Sequence, residues 1–169
     1  MGGPQMATWR SEAVNYRPIP GFVAGLYAPI WAGNRFEIQP ELVLSLQGAA
    51  RDLPEGEQHT MRNLMATVPV SLKVFLNRTI NFQVGVQGGY LILAKADGKD
   101  ISDQVSQLDM GVNFGAGFGS PTGLDITLRY FIGLSNALAD DHAIFPSNRT
   151  LQLTFGYRFM QFEKDRRRR

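Results

Sequence analysis

Seven charged residues lie at alternate positions of segments whose other face is apolar. Carboxylate, ammonium and guanidinium groups held together away from water form charge-assisted ion pairs, and inside a membrane protein they can also line a path for protons or ions. Four of the seven are acidic and three are basic, which is near the balance that a buried polar network requires. We interpret the set as a structural lumen network, with an ion path through its Glu, Lys and Arg members as the alternative. The members are Glu37, Glu41, Lys73, Asp109, Asp125, Arg129 and Arg158.

Two long connecting segments carry side chains that could bind a metal or act as a nucleophile. The sequence DDH (140–142) offers two carboxylates and an imidazole to a metal ion, and the aspartates at 97, 100 and 103 could attract Ca²⁺. His142 and Ser147 with a nearby aspartate would be the minimum for acyl transfer. Polar residues are common in such loops without any chemical role, so we predict no catalytic, cofactor or metal site.

The glycine-rich sequence GAGFGSPTG (115–123) superficially resembles a phosphate-binding loop. A phosphate-binding loop needs a helix N-terminus directly after the glycines, because the free N–H groups of the first helical turn bind the anion. Here a strand pattern follows, and no Lys-Ser or Lys-Thr pair is present. We interpret the segment as small residues of a strand followed by a tight turn.

The elements that would position these residues are β-strands, because hydrophobicity alternates with a period of two along most of the chain. In RFEIQPELVLSLQG (35–48), Phe36, Ile38 and Leu42 share one face, and Glu37 and Glu41 share the other. Each apolar stretch covers roughly 9–13 residues, close to the ~9–11 that a tilted strand needs to cross a bilayer. The alternating segments are 22–30, 35–48, 64–76, 80–92, 107–118, 124–135 and 150–159.

Eight strands and an alternation of connection lengths indicate a membrane barrel. A weaker strand, Gly2–Arg10, precedes the seven and is expected to be incomplete at its start. Short turns alternate with long connections, as in outer-membrane barrels. The sequence therefore predicts an all-β, eight-stranded, antiparallel up-and-down transmembrane β-barrel, with both termini on the periplasmic side with the short turns. We expect one barrel domain over residues 1–162 and a basic tail over 163–169. The long connections are 10–20, 48–60, 94–104 and 136–148.

The apolar face of the strands is predicted to contact lipid and the polar face to fill a closed lumen. The polar face is rich in Gly, Gln, Asn and Ser but poor in the Lys and Glu that a solvated surface usually carries. A lumen of eight strands has just enough room for such side chains. The alternative is a soluble, lipocalin-like ligand-binding barrel with the faces reversed. Aromatic residues near both ends of the apolar bands resemble interfacial girdles, with Phe36, Phe118 and Phe159 at the short-turn end and Phe22 and Tyr90 towards the other.

Three prolines, Pro29, Pro40 and Pro69, lie inside the predicted strands. Proline has no N–H to donate to the ladder, and a closed barrel has no free edge where this would be harmless. The sequence therefore predicts a local bulge at each of the three prolines.

Composition excludes several other classes of protein. There is no Cys, so neither a disulfide framework nor a thiolate metal site can form. The formal net charge is only +2, which does not suggest nucleic-acid binding. No run of about 18 apolar residues predicts a transmembrane helix, and the start MGGPQMATW lacks the basic and apolar regions of a signal peptide.

Several segments, in order, resemble the PorT-like outer-membrane β-barrel family. The most specific are QPEL (39–42), VPVSLK (68–73), RYFIGL (129–134) and GYRF (156–159), and the resemblance extends over about residues 21–159. It implies an eight-stranded barrel of a Gram-negative outer membrane in a family whose founding member is linked to protein secretion. The chain departs from the family pattern in its short first strand and in the ten residues after GYRF, because such barrels usually end on an aromatic residue.

These observations together predict an integral outer-membrane barrel with a structural or accessory role and no catalysis. In its finer form, the prediction makes the barrel a subunit of a larger outer-membrane or secretion assembly. The expected partners are outer-membrane lipid and other outer-membrane or periplasmic proteins, and no nucleic acid. Besides the soluble barrel, the alternative is a lipid-modifying outer-membrane barrel enzyme.

Overall fold

The structure, a computed structural model, describes residues 1–10, 16–32, 35–52, 58–96, 98–102, 106–120, 122–136 and 147–158. Within these ranges the chain forms eight long strands and two strands of two residues. No helix of the described chain is long and apolar enough to span a membrane. The strands are β1 Gly2–Arg10, β2 Tyr16–Tyr27, β3 Trp31–Ala32, β4 Phe36–Asp52, β5 Gln58–Phe75, β6 Ile80–Ala96, β7 Lys99–Asp100, β8 Leu108–Gly119, β9 Leu124–Asn136 and β10 Ser147–Tyr157.

The eight long strands form a closed antiparallel barrel, which confirms the predicted fold. Around the barrel they follow the order β1, β2, β4, β5, β6, β8, β9 and β10, and β1 closes the sheet by pairing with both β10 and β2. The two short strands extend this sheet by pairing with β4 and β6, respectively. With nine residues, β1 is the shortest of the eight, and the amino group of Met1 donates a hydrogen bond to the carbonyl of Gly25 over 2.7 Å.

Side chains of the long strands alternate between a buried polar set and an exposed apolar set. Along β6, Asn81, Gln83 and Gln87 are buried, whereas Val84 and Val86 between them are more than half exposed. A sheet with one apolar face normally buries that face, so the reversed arrangement requires an apolar surrounding on the outside. The interior is correspondingly filled by amides, hydroxyls and charged groups.

The strands extend further into the connecting segments than hydrophobicity predicts. β2 begins at Tyr16, although residues 10–20 were predicted to form a loop, and β4 and β6 end only at Asp52 and Ala96. His59, also predicted to lie in a loop, pairs with Arg51 in the ladder between β4 and β5. Ladder hydrogen bonds continue beyond the apolar band because they depend on the backbone, whereas the alternation of side chains depends on contact with lipid.

The prediction of bulges at the strand prolines is wrong at two of three positions. Pro40 pairs with Val70 and Pro69 with Gln87, and neither ladder shifts its register there, so each proline removes one backbone donor without displacing the strand. Pro29 differs, because β2 ends before it and β3 begins after it. The register against β4 also changes by one residue there, since Tyr27 faces Glu41 but Trp31 faces Ile38. Further register shifts occur between Pro18 and Phe22, Leu64 and Met65, and Ser147 and Arg149.

Candidate functional site

The interior of the barrel holds an ion pair that crosses the bore. Arg129 on β9 donates through both terminal nitrogens to the two carboxylate oxygens of Glu41 on β4, over 2.8 and 2.6 Å. Both side chains are almost completely buried, at 3% and 0% exposure. Three long strands separate β4 from β9 in either direction around the barrel, so the two residues face each other across its full width. Gln39 donates a further hydrogen bond to Glu41 over 2.9 Å.

A chain of four charged side chains lies at the short-turn end of the interior. Arg158 donates to Glu37 over 3.0 Å and to Asp125 over 2.9 Å. Asp125 also accepts from Lys73 over 3.3 Å. These contacts join β4, β5 and β9 to the residue after β10, and the alternating signs mean that each carboxylate faces at least one cation.

The seventh residue of the predicted network, Asp109, is separate from these ion pairs. It lies near the start of β8, at the long-loop end of the strand, where Ser135 donates to it over 3.0 Å and Asn148 over 2.9 Å. The structure therefore brings six of the seven predicted residues into two groups, and it gives Asp109 neutral partners. The six comprise three carboxylates and three cations, so the paired set is balanced.

Neutral polar side chains fill the middle of the bore, and sequence reasoning did not single them out. Gln152 donates to Gln5 over 3.1 Å, and Gln5 in turn donates to Ser45 over 2.9 Å and to the carbonyl of Leu46 over 2.6 Å. Thr150 donates to Gln47 over 3.4 Å. The available signal was the repeated appearance of Gln, Ser and Thr on the polar face of the strands.

Apolar side chains also occupy part of the bore towards the long-loop end. Met65, Leu91 and Ala94 form a buried cluster there, and the ring of Phe131 is also buried. Near the ion pairs, the cavity between Tyr27, Gln39 and Lys73 measures only about 10 Å³, close to the least that can hold one water molecule. The described interior thus contains charged, neutral polar and apolar side chains packed against one another.

The other motifs from the sequence have different outcomes. The glycine-rich segment forms the end of β8 and a turn in which Gly123 has φ 95°, and strand β9 follows, which confirms a strand and turn. The carboxylate of Asp100 accepts hydrogen bonds from Ser102, and Ser147 begins β10. Residues 97, 103 and 140–142, and Phe159 of the predicted girdle, lie outside the described residues.

Comparison with known proteins gives one family and several similar structures. A family model described as "Outer membrane protein beta-barrel domain" matches residues 2–139. No curated protein has a sequence that matches this chain significantly. Neisserial surface protein A has a TM-score of 0.63 at 12% identity, with 94% of each chain covered.

Two further solved structures are similar in fold. Ail, the attachment invasion locus protein of Yersinia pestis, has a TM-score of 0.51 at 18% identity, covering 94% of this chain and 95% of that one. The outer membrane enzyme PagL has a TM-score of 0.47 at 14% identity, covering 92% and 97%. At their identities the likenesses to Neisserial surface protein A and to Ail describe the fold alone.

Proposed function

Because the chain belongs to the outer membrane protein beta-barrel domain family, we propose that it is an integral outer-membrane barrel with a closed lumen and a structural or accessory role, without catalysis. Its polar lumen acts in this proposal as a structural network rather than as a path for ions. The residues of that network are Glu37, Glu41, Lys73, Asp125, Arg129 and Arg158, whereas Asp109 is hydrogen-bonded to Ser135 and Asn148 apart from them.

The observation that carries this proposal is the arrangement of ion pairs across the bore. Conduction needs sites that an ion can enter and leave, but here the carboxylates of Glu37, Glu41 and Asp125 are each already bound to a guanidinium or an ammonium group. Eight strands leave an interior only wide enough for side chains, whereas aqueous porins have about 16–18 strands. Oppositely charged side chains that pair across such a narrow bore support a lumen that is blocked by its own side chains.

We predict that the purified barrel forms no porin-size channel in a planar lipid bilayer. The ion pairs across the bore and the apolar cluster of Met65, Leu91 and Ala94 would both have to open before water could fill the bore. The measurement is single-channel conductance, with a sixteen-stranded porin reconstituted in parallel as the positive control. Stable ohmic channels of porin size would contradict the closed lumen and favour an ion path.

We also propose that the short turns and both termini lie on the periplasmic side, with residues 163–169 forming a basic tail to a single barrel domain of residues 1–162. Four consecutive arginines just beyond the last strand could bind anionic head groups, at about 1 kcal/mol each, or an acidic partner. We expect protease added to intact cells to leave the tail uncut and protease added to permeabilised cells to remove it. Cleavage of the tail in intact cells would show the opposite orientation.

The finer proposal, a PorT-like subunit of a larger outer-membrane or secretion assembly, is supported by the resemblance of residues 21–159 to that family. The outer loops or the lipid-facing wall would provide the contact with other outer-membrane or periplasmic proteins. Cross-linking in native membranes tests it: a barrel recovered only as a monomer would contradict the assembly.

A further inference from the structure

A groove on the outer wall of the barrel combines two cations with an apolar floor. It lies at the long-loop end of β4, β5 and β6, on the face that carries the exposed apolar side chains, and its volume is about 470 Å³. We call it the wall groove. Its lining includes Leu46, Arg62, Leu64, Leu93, Lys95 and Gly98.

The register shift between β5 and β6 explains why the wall is indented here. Leu64 faces Leu93, but the next residue, Met65, faces Leu91, so Ile92 has no partner of its own in the register. Met65 and Leu91 point into the buried cluster, whereas Ile92 is half exposed on the outside. A bulge of this kind bends the strand and increases its twist, and bulges often re-aim side chains at binding sites.

The two cations of the wall groove face each other, and no salt bridge to a described residue neutralises either of them. Arg62 and Lys95 are direct partners in the β5–β6 ladder, and both are exposed. Like charges directly opposite each other destabilise a sheet unless an anion lies between them. Neither forms a salt bridge within the described part of the chain.

One carboxylate near the wall groove offsets part of this positive charge. Asp100 faces Lys95 from β7 and is attracted to it, while its carboxylate also accepts hydrogen bonds from the backbone N–H and the hydroxyl of Ser102. Lys99, beside it, adds another exposed cation. Among the described residues around the groove, cations therefore outnumber carboxylates by three to one.

We propose that the wall groove binds a phosphorylated membrane lipid, with the phosphate between Arg62 and Lys95 and an acyl chain along Leu46, Leu64 and Leu93. Cations at the edge of an apolar band match the arrangement of a membrane lipid, in which the charged head group lies at the end of the hydrocarbon chains. The orientation proposed above places the long-loop end in the outer leaflet, so the lipid class is a phosphorylated glycolipid of that leaflet. The binding test below needs neither that orientation nor a closed lumen, so its failure and theirs are distinguishable.

The test compares the full-length barrel with a variant of the wall groove in nanodiscs of neutral phosphatidylcholine. Lipid A carrying both phosphates is titrated, and native mass spectrometry measures the fraction of barrel that retains it. The double variant R62Q/K95Q is expected to bind roughly 30-fold more weakly, since each charge near an anionic surface contributes about a factor of five. Dephosphorylated lipid A should bind both proteins equally weakly.

The matched control is R35Q/R78Q, which removes the same charge at the short-turn end, where both arginines are exposed. It should change binding less than twofold, and heat-modifiable migration on gels should show that both variants are folded. Equal binding by R62Q/K95Q and the unmodified barrel would overturn the proposal. Equal weakening by the two double variants would overturn it as well, because it would indicate non-specific attraction. Binding of inorganic phosphate alone at the affinity of the lipid would exclude any role for the apolar floor.

Discussion

Replacing Arg129 by Ala is expected to lower the free energy of unfolding by about 3–5 kcal/mol, because it leaves the carboxylate of Glu41 buried without its cation. Glu41 has no exposed side-chain surface, and besides Arg129 the amide of Gln39 donates a hydrogen bond to it. The measurement is the urea unfolding midpoint of the barrel in lipid vesicles, followed by tryptophan fluorescence. The conductance of the barrel in a planar bilayer should be unchanged, because the substitution lowers the stability of the fold and does not create a channel.

Two further variants separate the lost charge from the lost volume. The double variant R129M/E41Q retains most of the volume and removes both charges, so it should recover most of the stability lost in Arg129→Ala. Arg78→Ala, in an exposed turn, should stay within about 0.5 kcal/mol of the unmodified barrel. A loss below about 1 kcal/mol for Arg129→Ala would be the magnitude of a solvated surface pair. That result would mean that water fills the bore.

The charged residues could be identified from the sequence, but their partners could not. Alternation alone assigns Glu37 and Lys73 to the same face, and they are direct neighbours in the β4–β5 ladder. Even so, Glu37 binds Arg158 and Lys73 binds Asp125, both across the interior. Which strands face each other across a barrel depends on its closure and strand stagger, and these are properties of the whole sheet. The position of Asp109 could not be predicted for the same reason. It lies near the long-loop end of the barrel axis, where its hydrogen-bond partners are neutral and not the cations of the set.

Strand identity and the inward or outward direction of side chains were also predictable, whereas strand ends and bulges were not. The band from Ile80 to Ile92 shows regular alternation because lipid contacts one face and the lumen the other. Beyond the band, both faces of β4 and β5 can be polar, so the ladder of Arg51 and His59 has no signature in hydrophobicity. The shift beside Met65 was missed for a related reason: Leu91, Ile92 and Leu93 are all apolar, and a run of apolar residues conceals a change of face.

Introducing arginine at Val86 is expected to lower the free energy of unfolding in a bilayer by about 2–4 kcal/mol, the cost of that charge on the lipid face near the midplane. Val86 is 62% exposed on the outer wall, midway along the apolar band of β6. Its partners in the ladders are Val70 and Val112, so three valines form a continuous apolar patch there. The measurement is reversible unfolding in lipid vesicles.

The loss of unfolding free energy should depend on how deep in the bilayer the arginine lies. This dependence would identify lipid as the surroundings of the outer wall. Leu76→Arg is the matched control, because Leu76 is 66% exposed but lies next to the short turn at Asn77. An arginine there can reach the head groups, so the loss should be only about 0–1 kcal/mol. On a barrel surrounded by water, two exposed aliphatic positions would tolerate arginine equally. Equal, small losses at Val86 and Leu76 would therefore contradict a membrane-spanning wall, whereas a loss confined to Val86 would locate the midplane on β6.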